Sequence, residues 1–221
     1  MISEKEYAMT QQLIQTGFTT EDFDIFHIAG LDERMSAIIE HIRPKFQVMG
    51  QQLTTELSIH VSNEMFLHIA KHARRTVNPP KDTWLAICNN KRGYKAHPHF
   101  QLGLFDDHLF IWFALIYEVP NKKNIANTFL SNLEQVIQQV PNDYVISQDH
   151  MKNNAQSVQN LDEDDWSSIL TRFRDIGKAE LLIGRHLAPN SAIVQDQQKL
   201  IEYAAETYLQ LLPLYKLAYE A

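Results

Sequence analysis

The stretch PHFQLGLFDDHLFIWFALIYE, residues 98–118, decides the fold. Phe100, Leu102 and Leu104 alternate with Gln101 and Gly103, the period-2 pattern of a strand, and Asp106-Asp107 supplies a short turn into the next run. The two halves predict a β-hairpin. The second strand is apolar at both parities: Leu109, Ile111, Phe113 and Leu115 on one side, Phe110, Trp112, Ala114 and Ile116 on the other. Such a strand belongs at the centre of a sheet with both faces covered. The longest unbroken apolar run, 109–117, is far shorter than the roughly 20 residues that span a bilayer as a helix, so it reads as core and no membrane association is expected.

Working outward, residues 84–88 read as another buried strand, and the region 63–118 as a whole is strand-like. Before it, Leu31, Met35, Ile38, Ile39, Ile42 and Phe46 repeat at helical spacing, with Pro44 expected to bend or interrupt the helix. After Pro120, the residues Ile125, Phe129, Leu133, Val136 and Ile137 predict a helix that Pro141 stops. A second helix opens in the acidic run 162–165, carries Trp166, Ile169, Leu170 and Phe173, and ends near Gly177. Residues 181–183 read as a returning strand and 200–217 as a long amphipathic helix. The expected class is α+β, an antiparallel β meander in the middle of the chain covered by flanking helices. No repeat or Gly/Ser linker divides the chain, so residues 17–221 are expected to form a single domain behind a partly disordered N-terminal extension, 1–16.

A chain of 221 residues can bury roughly 70% of its unfolded surface. Its one cysteine, Cys88, excludes an intramolecular disulfide, and the start MISEKEYAMTQQ has no apolar run behind its lysine, so a cytoplasmic location is expected. The formal net charge of −7 argues against whole-surface attraction to nucleic acid or anionic lipid. The distribution is uneven. Between Lys71 and Lys95 stand Lys71, Arg74, Arg75, Lys81, Lys91, Arg92 and Lys95 against one acid, Asp82, so this segment carries +6 and the remainder −13.

Other constellations are weaker. His68 and His72 are four apart, but Met65, Leu67 and Ile69 alternate with Phe66, His68 and Ala70, and on a strand the two imidazoles stand roughly 13 Å apart, too far for one ion. His97, His99 and His108 fit no ligand-spacing motif, so no metal site is assigned. The acidic run 162–165 matches the favourable placement of negative charge on a first helical turn, and Cys88 reads as a small core residue.

The basic segment is the candidate site. Lys71, Arg74, Arg75, Lys91, Arg92 and Lys95 are positioned to converge on an anion, Gly93 to let the backbone approach it, and Tyr94 to stack on a base or ring. His72, Asn78, Asp82, His99 and Gln101 are the supporting polar residues. Asn78-Pro79-Pro80 is a stiff extended turn that would hold the two basic groups in a fixed relation. No dinucleotide fingerprint or Walker-type loop is present.

The strings AKHARRTVNPPKDTW (70–84), KRGYK (91–95), PHFQLGLFD (98–106) and IWFALIYE (111–118), with GFTTEDFDIFHIAGLDERM and KAELLIGRHL in the flanks, resemble the YktB-like family of uncharacterised bacterial proteins. The resemblance runs from about Gly17 onward; the first eight residues lie outside it, which makes Met9 a candidate start. It implies one α+β domain with no assigned activity, cofactor or catalytic residues. Three functions therefore stand open. One is a binding module for a phosphorylated small molecule or a nucleic-acid end. Another is an enzyme with His72 or His99 as base beside Asp82 and arginines stabilising developing charge. The third is an interaction protein whose basic segment meets an acidic surface. Ligand, cofactor and oligomeric state are not readable from these residues.

Overall fold

The computed structural model describes residues 16–221; the expected extension therefore lies, apart from Thr16, outside the described residues. Among these residues seven strands form one sheet: β1 (Phe66–Ile69), β2 (Thr83–Cys88), β3 (His99–Leu104), β4 (Leu109–Leu115), β5 (Val145–Ser147), β6 (Gln156–Ser157) and β7 (Leu181–Leu187). Their order is β1-β2-β3-β4-β7-β5-β6, and every pairing is antiparallel. The predicted hairpin is β3–β4, with Phe100 opposite Phe113 and Leu104 opposite Leu109, closed where the Phe105 N–H donates to the His108 carbonyl at 2.9 Å. β4 lies centrally and all of it is buried, as its two-sided apolar pattern requires. β7 is longer than the three residues expected. Arg185 and His186 break its apolar run, yet they continue the register along β4 to Leu109.

Among the described residues eight α-helices flank the sheet: α1 (Thr20–Asp24), α2 (Leu31–Ala37), α3 (Arg43–Val61), α4 (Lys122–Ser131), α5 (Leu133–Gln139), α6 (Glu163–Asp175), α7 (Ala192–Gln195) and α8 (Gln197–Glu220). The helix is interrupted just before Pro44: a π-helical turn, Ile38–Ile42, joins α2 to α3, and Pro44 stands in the first turn of α3. That wider turn shifts the phase of the apolar stripe, so Ile38, Ile42 and Phe46 are buried while Ile39 is 49% exposed. The helix expected over 125–137 is broken at Asn132, whose side chain bonds back to the Thr128 carbonyl and separates α4 from α5. Asp162 caps α6 in a reciprocal arrangement with Asp165, which accounts for the acidic run without a ligand. No helix among the described residues is long and apolar enough to cross a membrane.

Helices α3 and α8 pack directly on the sheet, with α4, α5 and α6 continuing the layer. They cover one face only. Leu85, Ile87, Phe100, Leu102, Ile111, Phe113, Leu115 and Ile183 join one large apolar cluster on that side. The opposite parity carries Trp84, Phe110, Trp112, Ala114 and Leu182 in a smaller cluster, closed over by chain connections rather than by a helix: His72, Tyr94 and His150 all touch Trp84, and Ala155 packs beside it. Gly184 in β7 is required on this face, because a Cβ there would run into the Ile111 carbonyl of β4.

Candidate functional site

β1 is an edge strand, and the connection 89–98 folds back beside it. Four hydrogen bonds shape that connection. Asn90 presents its side-chain oxygen to the Arg92 N–H (2.9 Å) and its carbonyl to His68 Nε2 (2.9 Å); Trp84 Nε1 donates to Tyr94 Oη (3.0 Å); and the His97 N–H donates to the Tyr94 carbonyl (3.0 Å). The result is an open groove of about 770 Å³ whose walls include His68, Lys71, Arg92, Tyr94, Lys95 and His97. Lys95 is balanced by Glu118 at 3.5 Å, whereas neither Lys71 nor Arg92 is in an ion pair among the described residues. A Cβ on Gly93 would meet nothing, so the backbone there faces open space.

Of the basic residues singled out from sequence, Lys71, Arg92 and Lys95 share this groove with Tyr94. Lys91 is exposed and is not one of the groove's walls. Arg74 is also exposed, and Arg75 turns back so that Nη1 meets the carbonyls of Asn78 (3.4 Å) and Pro79 (3.5 Å). At the double proline, Arg34 donates to the Pro80 carbonyl at 2.7 Å. Arg74 and Arg75 are not among the groove's walls, so of the first basic group only Lys71 is there.

The supporting polar residues lie deeper. His99 is fully buried; its Nδ1 bonds the His97 carbonyl and its Nε2 receives the Gln101 amide, each at 2.8 Å. Both ring nitrogens are therefore engaged. Burial pushes its pKa down to about 3, with the neighbouring His150, His68 and His97 acting in the same direction. His72 has left β1 and adopts a left-handed backbone (φ 52°), with Nε2 3.2 Å from Thr83 Oγ1. Burial, then Arg75 and Arg43, lower it to about 4. Asp82 is 2% exposed, and burial raises its carboxyl to about 6 against the opposing charges of His150 and Arg75. Cys88 is buried, as expected of a core residue, and burial raises its thiol pKa.

Two residues absent from the sequence reading complete this interior. Glu180, immediately before β7, accepts the His150 N–H (2.7 Å), His150 Nδ1 (2.8 Å to each oxygen) and the Tyr117 N–H (3.2 Å). Burial alone would lower the His150 pKa, but the bond and charge of Glu180, with Asp82 and Asp149, outweigh it and raise the imidazole. The partners stand thirty residues apart in no recognisable motif, so only the pairing of β7 with β5 exposes them.

A sheet with one helix-covered face, one loop-covered polar face and a basic groove at its free edge defines an α+β protein with a candidate anion-binding site. Residues 18–215 match a family described as a domain of unknown function, DUF1054. The chain belongs to this family, whose curated bacterial members carry the designation UPF0637, and the YktB-like resemblance is borne out. It is 57% identical over 205 residues to a UPF0637 protein of Shouchella clausii, covering 93% of this chain and 96% of the relative. The identity to one from Oceanobacillus iheyensis is 53% over 205 residues, 93% of this chain and 98% of the relative. To one from Listeria monocytogenes it is 46% over 200 residues, 90% and 96% respectively.

Proposed function

We propose that this protein is a cytoplasmic, single-domain binding module that holds a phosphorylated small molecule in the groove beside β1. Lys71 and Arg92 neutralise the phosphate, Lys95 exchanges Glu118 for it or lends additional field, and Tyr94 offers a ring face to the remainder of the ligand. The observation that carries this reading is the presence of two cations without carboxylate partners on the walls of one cavity of about 770 Å³, a volume within the range of about 300–1,000 Å³ typical of small-molecule sites. The same cations would serve a nucleic-acid end, whose bases would stack on Tyr94.

The test is a thermal-shift and calorimetric screen of the purified protein against nucleotides, sugar phosphates and short RNA at two salt concentrations. Binding should weaken steeply as salt rises, and Arg92→Ala and Lys71→Ala should each lower affinity about tenfold or more. Affinity indifferent to salt and to both substitutions would overturn the proposal. Oligonucleotides binding in place of mononucleotides and sugar phosphates would transfer the groove to the second ligand class.

A further inference from the structure

A different cluster forms where β5 and β7 run on past their paired residues. The register Ile146↔Ile183 and Ser147↔Leu182, continued by two residues, sets Asp149 opposite Glu180, and His150 follows directly in the chain. Asp149, His150 and Glu180 each offer one ligand atom, and these atoms lie within 4.8 Å of one another. Donors bound to one ion at about 2.0–2.2 Å stand no more than about 4.4 Å apart, so shifts of a few tenths of an ångström would let all three share it. The pairing of β5 with β7 brings together the two stretches that carry these residues, just beyond the strand ends.

Charge points the same way. Glu180 and Asp82 are each only 2% exposed, and the ionisable group in direct contact with Glu180 is the single imidazole of His150. Asp82 is in no ion pair among the described residues; its carboxyl takes a backbone hydrogen bond, and His150 feels its charge. Lys152 reaches Asp149 at 3.3 Å on the solvent side. Three carboxylates thus gather around one imidazole; Lys122 and Arg75 act on Glu180 and Asp82 through space without an ion pair, and buried negative charge of that kind is stabilised by a bound cation.

We propose that Asp149, His150 and Glu180 form a binding site for a divalent cation of borderline character, Zn²⁺ or Mn²⁺. A mixed set of one imidazole and two carboxylates suits these ions better than Ca²⁺ or Mg²⁺, which prefer all-oxygen shells, or Cu⁺, which prefers sulfur. Loading replaces the Nδ1 proton of His150, now shared with Glu180, by the metal, and that proton leaves to solvent. The N–H groups of His150 and Tyr117 remain to orient the Glu180 carboxylate as outer partners. Three protein ligands leave a further position for water. The site is separate from the groove and is linked to it through Trp84, whose ring centroid is 6.3 Å from that of His150 and whose Nε1 bonds Tyr94.

Protein stripped with chelator and titrated calorimetrically with Zn²⁺, Mn²⁺, Ca²⁺ and Mg²⁺ should bind one equivalent of Zn²⁺ or Mn²⁺ and melt at a higher temperature when loaded. Glu180→Gln should abolish the binding. Because Glu180 also anchors two backbone N–H groups, Asp149→Asn carries the decisive measurement: Asp149 is half-exposed, so the metal-free variant should melt like the parent while its affinity falls at least about tenfold. Arg92→Ala should leave metal affinity unchanged, which separates this site from the phosphate groove. The inference is overturned if neither Zn²⁺ nor Mn²⁺ binds stoichiometrically up to about 1 mM. It is equally overturned if Asp149→Asn binds as tightly as the parent, the behaviour of an adventitious surface ion.

Discussion

The two faces of the sheet are built from the same strands and obey different rules. On the helix-covered face, Phe100, Leu102, Ile111 and Phe113 are buried in the large apolar cluster against α3 and α8. Across the sheet, at alternate positions of those strands, stand His99, Gln101, Trp112 and Gly184, under connections that bring down His72, Tyr94 and His150. A helix satisfies its own backbone polar groups and can offer a purely apolar surface, whereas irregular chain carries N–H and C=O groups that need partners. The loop-covered face is consequently rich in buried hydrogen-bonding side chains.

Acid should produce the largest separation between them. His99 and His186 are lowered to about 3 and His72 to about 4, in each case chiefly by burial on the loop-covered side. A histidine depressed below its unfolded value of about 6.5 contributes stability that is complete above that pH and lost as pH falls toward the folded pKa. Asp82, raised to about 6, works in the opposite sense, since its neutral form is the one the fold favours. Between pH 6.5 and 4 the net loss should be on the order of 5 kcal/mol, comparable to the whole stability of a small domain. Urea midpoints measured across that range should fall steeply, and a flat profile would mean that these imidazoles are not buried in the folded protein.

Phe113→Ala strikes the helix-covered face, where a fully buried ring contacts Phe100 and Tyr215. A loss of about 3–5 kcal/mol is expected in urea denaturation, nearly independent of pH. On the other face, His99→Leu strands the Gln101 amide and should cost about 2 kcal/mol, while His99→Leu combined with Gln101→Leu should return most of it, because replacing both partners removes the unsatisfied group. A double variant as unstable as the single one would show that the pair does more than satisfy itself. The smallest effect belongs to the groove: Arg92→Ala should change stability by no more than about 0.5 kcal/mol, since its exposed side chain makes no ion pair, even as it weakens phosphate binding.

The local patterns carried much of the architecture. Strict alternation around Phe100 and the two-sided apolar run at 109–117 determine the β3–β4 hairpin and its central place, because strand periodicity is a property of neighbouring residues. The caps and stripes of α6 and α8 are local in the same way. Less visible were β5 and β6, too short to show a period, and the π turn that rotates Ile39 outward, since one wide turn leaves no mark in composition.

For the site, sequence alone established that positive charge concentrates between Lys71 and Lys95 and that Tyr94 lies within it. It could not establish direction. Whether a side chain enters a cavity depends on long-range backbone geometry: Arg75 folds onto the carbonyls of Asn78 and Pro79 outside the groove, and the hydrogen bonds of Asn90 and Trp84 bring Arg92 and Tyr94 to Lys71. The Asp149–His150–Glu180 cluster was decided wholly by tertiary structure. Its members meet only because two strands far apart in the chain pair side by side, and a sequence records the residues of such a meeting but not the contact itself.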